Sequence, residues 1–217
     1  MNEPAHTRLG RMILFPAVVT LGVTLLRLVG ELQGWSPALF SRQAGGGGSL
    51  VGISWLAPVF GAWFGWTLVR SGERPARLGV AFGLVLLAIA LMPASGFAAM
   101  ALGMNGESPA ILGVYAVVSI VGLVLAFRAW PGLGRVLLAY GLAARVPVVL
   151  VMLAAILGNW GTHYDALPPG APDMAPIPKW LLIGVLPQMT VWLWFTSVIG
   201  GLFGLVAGAL AGRRPAA

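Results

Sequence analysis

The sequence predicts an all-α membrane protein, a six-transmembrane-helix bundle with both termini on the cytoplasmic side. Three observations carry this reading: the composition, six long apolar runs, and arginines gathered on one side of those runs. Of the 217 residues, 59% are hydrophobic and 9% charged, with a mean hydropathy of +0.91. A water-facing domain carries roughly 25% charged residues to cover its surface, so a chain this poor in charge presents most of its surface to hydrocarbon. Six spans of about 20 residues use most of the length, and residues 1–217 read as one membrane domain with no soluble domain.

In order, the runs are Met12–Gly30, Leu50–Leu68, Leu78–Ala98, Ala110–Phe127, Val136–Leu157 and Met189–Ala211. Each has about 18 to 24 residues, enough to cross ~30 Å of hydrocarbon. Backbone polar groups in lipid have to be paired within their own segment, which makes continuous apolar runs helices. Barrel strands would be short and alternating. The first run follows basic Arg8 and Arg11, as a signal peptide would, but it reaches Gly30 without a small-x-small cleavage site and reads as a retained span.

Orientation comes from the arginines. Arg8 and Arg11 precede the first run, Arg70, Arg74 and Arg77 join the second to the third, Arg128 and Arg135 join the fourth to the fifth, and Arg213 and Arg214 follow the sixth. Alternating spans put all of them on one side. The other side holds Glu31, Glu107, Asp165 and Asp173, with Arg42 and Lys179 as its basic residues. Positive charge marks the cytoplasmic face, so both termini are expected inside a plasma (inner) membrane.

Two outer loops are long. In Glu31–Ser49, Ser36 before Pro37 resembles a helix N-cap, and Gly45 to Gly48 suggest a hinge. In Asn159–Lys179, five prolines predict a stiff extended strap over the outer mouth. Trp35, Trp160, Trp180 and Trp192 are expected at the outer interface, and Trp66 and Trp130 at the inner one, as an aromatic belt.

Gly200, Gly204, Gly208 and Gly212 recur every four residues and fall on one helix face, a glycine zipper. Ala57, Gly61 and Gly65 repeat the pattern in the second run, and Gly79 and Gly83 in the third. Such faces let backbones approach, either within the bundle or against other membrane subunits or a second copy of the chain. Pro16, Pro93, Pro147 and Pro187 are expected to kink their helices.

Arg145 stands out among the polar residues. It lies ten residues past Arg135, hence about 15 Å into the membrane. An arginine at that depth costs at least ~2.5 kcal/mol, and no span offers a carboxylate at its level, so it needs carbonyls freed by Pro147, neutral groups, water or an anionic ligand. Tyr140, Gln188 and Asn159 are the polar residues expected beside it in a ligand site. Arg27 is placed to reach headgroups or to pair with Glu31 one helical turn on. The patch Asn159–Asp165 contains His163 and Asp165, which could do acid–base chemistry or simply cap a turn.

Several chemistries are excluded. Cysteine is absent, so there are no disulfides or thiolate sites. The two histidines, His6 and His163, lie outside the runs and cannot hold a haem within the bundle. No HExxH or P-loop motif occurs, and no metal or cofactor is expected. The net charge of +7 is scattered between apolar runs, which argues for the lipid bilayer as partner and against nucleic acid.

Six helices in a chain this short are similar in size and topology to the substrate-binding subunits of energy-coupling-factor transporters. The buried Arg145 points to a small binding or transport subunit of that general plan. An anionic or amphipathic molecule would enter from the outer face and anchor on Arg145, and no enzymatic signature accompanies it. Two alternatives are a membrane enzyme using His163 and Asp165 on a lipid-linked substrate, and a non-catalytic scaffold that binds partners through its glycine faces.

Overall fold

A computed structural model describes residues 5–46, 49–104 and 109–212. Gly47, Gly48, Glu107, Arg213, Arg214 and the Arg8 side chain, which entered the hinge and orientation readings, lie outside the described residues.

Among the described residues every regular element is helical. The long helices are α1 (Ala5–Leu32), α2 (Leu56–Arg70), α3 (Leu78–Ala101), α4 (Pro109–Ala129) and α5 (Pro131–Gly158). A last run follows, made of α6 (Pro176–Lys179), a π-helical turn (Trp180–Val185), α7 (Leu186–Met189) and α8 (Val191–Ala211). Five helical segments are long and apolar enough to cross a membrane: Leu9–Leu32, Leu78–Ala101, Ala110–Ala129, Pro131–Gly158 and Pro176–Ala211.

The second expected span differs. Its helix begins at Leu56 rather than Leu50 and has 15 residues. Pro58 supplies the reason. It has no N–H to donate, and its ring would clash with the carbonyl four residues back, so a helix's first turn is its least costly place. The chain before it, through Ser54 and Trp55, forms turns instead.

The sixth span also starts elsewhere, at Pro176 rather than Met189. Pro176 and Pro178 occupy a first turn, where a missing N–H costs nothing, so they belong to the helix and not to the strap. Pro187 then leaves the Ile183 carbonyl without its usual donor, and the chain widens into the π turn just upstream. Thr190 (φ −119°, ψ −80°) interrupts the run once more before α8. Pro131 forces Trp130 into an extended conformation, so one residue separates α4 from α5.

Helix α8 is central and packs against α2, α3, α4 and α5, while α1 lies outside against α5. The α2–α8 contact is the tightest. A Cβ added at Gly61 would sit 2.5 Å from Gly200 Cα, and one at Gly65 2.6 Å from Gly204 Cα. On the adjacent side, Gly200 and Gly204 face Leu137 and Leu133 of α5, and Gly208 faces Trp130. Gly79 and Gly83 differ from expectation: nothing lies within 4 Å of a Cβ added at either.

The tryptophans are only partly a belt. Trp35 and Trp160 are exposed. Trp130 instead is buried under α8, and Trp180 turns inward to donate to the Val149 carbonyl at 2.9 Å. The large apolar side chains of α1, α3 and α4 such as Phe15, Phe97 and Val117 are exposed, as lipid-facing surface requires.

Close glycine contact leaves no room for a methyl group. Gly61→Ala is expected to cost about 1–3 kcal/mol through overpacking, whereas Gly79→Ala should be neutral within about 0.5 kcal/mol. Unfolding in detergent, followed by circular dichroism, separates the two.

Candidate functional site: a cavity between the first, fifth and last helical runs

A cavity of about 750 Å³ opens where α2 is short. Its walls are α1 (Val23, Thr24, Arg27), α5 (Arg145, Val148, Met152) and the last helical run (Leu182, Ile183, Gln188, Trp192). Two loop segments cover it: 44–55, of which Ala44–Gly46 and Ser49–Trp55 contribute, and the proline strap with Pro168, Pro169 and Pro172. Volumes of this order hold drug-sized ligands.

Arg145 lies in the middle of the 28-residue α5 and is 4% exposed. Its guanidinium carbon stands 4.8 Å above the centre of the Trp192 ring, a cation–π contact worth about 2 kcal/mol when desolvated. Nη1 donates to Gln188 Oε1 over a long 3.4 Å, and Nε has no partner. Pro147 does not direct a freed carbonyl at the guanidinium within hydrogen-bonding distance. A buried unpaired donor is costly, and a buried unneutralised charge more so.

The other expected ligand residues divide. Gln188 lines the cavity against Arg145. Tyr140 does not reach it. Its hydroxyl meets Thr20 Oγ1 at 2.9 Å, and its ring packs between Phe60 and Phe64. Asn159 does not reach it either. It is exposed and closes α5 in the left-handed conformation (φ 48°), a role its short polar side chain tolerates.

Above Arg145 lies a second charged group that the sequence only half revealed. Glu31 is fully buried and accepts from Arg27 Nε at 2.8 Å and from the His163 backbone N–H at 2.8 Å. Its Oε1 also meets His163 Nδ1 at 2.5 Å. Of the two roles expected for Arg27, the pair with Glu31 is formed and the reach to headgroups is not. The side chain is buried, and Nη2 donates to the carbonyls of Ser41 and Gly46, each at 3.2 Å. Gly46 (φ 73°) is therefore pinned, and a Cβ there would press on Arg27 at 2.9 Å, so this glycine serves close approach rather than a free hinge. Arg42 adds a contact to the Glu31 carbonyl.

Asp165 is committed to its own turn. It accepts from the Gly161 N–H at 2.9 Å and from the N–H and hydroxyl of Thr162 at 2.7 Å each. His163 is paired with Glu31, not with Asp165. The sequence carried a signal for the Arg27–Glu31 half of this cluster, one helical turn apart, and none for His163, which lies 132 residues from Glu31. Tyr164 completes the joint by donating to the Thr24 carbonyl at 3.2 Å. Among the described residues, no three His, Cys, Asp or Glu side chains gather as a metal site.

Burial holds the His163 imidazole below its ordinary pKa, with the nearby Arg27 adding to the effect and Glu31 opposing it. Burial also raises the Tyr164 phenol, keeping it a donor. Because the folded pKa of His163 is depressed, the unfolded chain takes the proton first as acidity rises. The stability held above about pH 6.5 should then fall as pH drops through that value towards the folded pKa. His163→Gln is expected to remove this pH dependence between about pH 7 and pH 5, read from thermal unfolding midpoints. Glu31→Gln strands a buried Arg27 and should cost about 3 kcal/mol at neutral pH by the same measurement.

Comparisons with protein-family models, with curated proteins and with solved structures find no match for this chain.

Proposed function

We propose that this chain is a six-span protein of the plasma membrane with both termini in the cytoplasm, and that it binds or carries an anionic amphipathic small molecule entering from the outer face. One observation carries the ligand reading: Arg145, halfway along α5 and without a carboxylate among the described residues, lines a cavity of about 750 Å³ that reaches the outer loops. A guanidinium there attracts an anion, and the Val148, Met152, Leu182 and Ile183 walls accept an apolar body. The second span is α2, its 15 residues extended to the outer interface by the turns before it. Glu31, His163 and the strap lie at the outer end, and Arg70, Arg74 and Arg135 at the inner one, in keeping with positive charge inside.

A second reading is favoured by one contact. His163 lines the same cavity with Nδ1 held by Glu31, the arrangement that orients a general base. A membrane enzyme acting on a lipid-linked substrate would use that pair, with Asp165 confined to the turn. The scaffold reading has less support, because the glycine face of α8 is filled by α2 and α5.

The experiment uses nanodiscs and an anionic amphiphilic fluorophore, anilinonaphthalene sulfonate, against empty discs. Arg145→Gln should weaken binding at least tenfold, about 1.4 kcal/mol, and the exposed Arg135→Gln should leave it unchanged. Equal binding by the Arg145 variant would remove the anion site. Since the chain has no cysteine, single cysteines map its topology cleanly. Asp173→Cys should react with an impermeant maleimide on intact cells, and Ser71→Cys only after permeabilisation.

A further inference from the structure

Charge balance around the cavity narrows the ligand further, on the premise that the cavity is an anion site. Among the described residues, three side chains with ionisable cationic groups line it: Arg27, Arg145 and His163. Arg27 is neutralised by Glu31 at 2.8 Å, and two backbone carbonyls take its Nη2. His163 is buried against the same carboxylate, and its depressed pKa leaves it uncharged at neutral pH. That leaves one uncompensated charge, on Arg145, with a neutral amide at Nη1, an indole face at 4.8 Å and an open donor at Nε. We infer that the cavity takes a monoanion, a carboxylate on an apolar chain or ring, in preference to a dianionic phosphate. A single carboxylate cancels the arginine and leaves the site neutral. A phosphate dianion would bring a second negative charge into low dielectric with no cation to meet it, a penalty that burial magnifies. Guanidinium offers two parallel hydrogen bonds to either anion, so the preference rests on the charge balance.

Gln188 provides a way to test this without removing the arginine. Gln188→Glu places a carboxylate of the same shape where the amide oxygen already meets Arg145, so the chain itself supplies the monoanion. The probes are octanoate, octyl phosphate and octanol, titrated at pH 8 into protein in phosphatidylcholine nanodiscs and followed by calorimetry. At that pH octyl phosphate is mostly dianionic. Octanoate should bind at least tenfold more tightly than either other probe. Gln188→Glu should lose at least tenfold in octanoate affinity while unfolding at a higher temperature than the parent, which also shows that it folds.

Octyl phosphate binding as tightly as octanoate, with both lost in Gln188→Glu, would overturn the monoanion while keeping the anion site. No loss for any probe in Gln188→Glu or Arg145→Gln would overturn both. The carboxylate could arrive from water or from the leaflet. Competition by oleate built into the disc lipid assigns the leaflet, competition only by octanoate added to the buffer assigns water, and competition by neither overturns the proposal.

Discussion

Backbone-to-backbone contact between α2 and α8 decides where this bundle is closed and where it is open. In hydrocarbon, helices gain little from burying apolar surface against each other, so association rests on dispersion between closely fitted surfaces. Gly61 on Gly200 and Gly65 on Gly204 give the closest backbone-to-backbone approach among the described glycines, and Leu133 and Leu137 of α5 fill the other side of the same groove. The seam runs through the C-terminal half of α8. Above Leu56 there is no α2 to continue it, because Pro58 confines the start of that helix. The N-terminal half of the last run is widened by its π turn and broken at Thr190. A tight lower seam and a missing upper one leave a cavity between α1, α5 and the final helices.

Two loops cover that space, and both are tied to α1. The strap is held through His163 on Glu31 and Tyr164 on the Thr24 carbonyl. The first loop is held through Ser41 and Gly46 on Arg27, and through Arg42 on the Glu31 carbonyl. Lower down, α1 meets α5 through Thr20 and Tyr140. Helix α1 therefore carries the roof of the cavity while touching the rest of the bundle along one side. Movement of α1 relative to α5 would carry both loops with it, which couples access to the cavity to a single helix.

Sequence reasoning reached the helical membrane class because composition and run length act over the whole chain and average out local exceptions. It missed two helix starts because each depends on one proline in a first turn, at Pro58 and at Pro176, while Pro16, Pro93 and Pro147 lie within helices. Arg145 was legible, since an arginine deep in an apolar run is anomalous wherever it faces. Its neighbours were less so. Gln188 was anticipated beside Arg145. Trp192, however, reads as an interfacial tryptophan until the early start of the last run moves it inward, and Tyr140 shares a helix with Arg145 yet faces Phe60 and Phe64. The Glu31–His163 contact spans 132 residues, and no local pattern encodes such a pairing.

Arg27 and Arg145 present the same physical problem within one cavity, a guanidinium taken out of water, and the chain solves it differently. Arg27 has a carboxylate and two carbonyls, the complement a structural arginine needs to offset its desolvation. Arg145 has an amide at the limit of hydrogen-bonding distance and an aromatic face, and one of its donors is idle. Both sit on helices that pack against each other, so a fold able to complete one shell had the material to complete the other. Gln188 makes the point sharply, because a glutamate in its place would neutralise Arg145 with no change of shape. Keeping an amide there leaves the field of the arginine directed into the cavity, where the proposed anion would meet it.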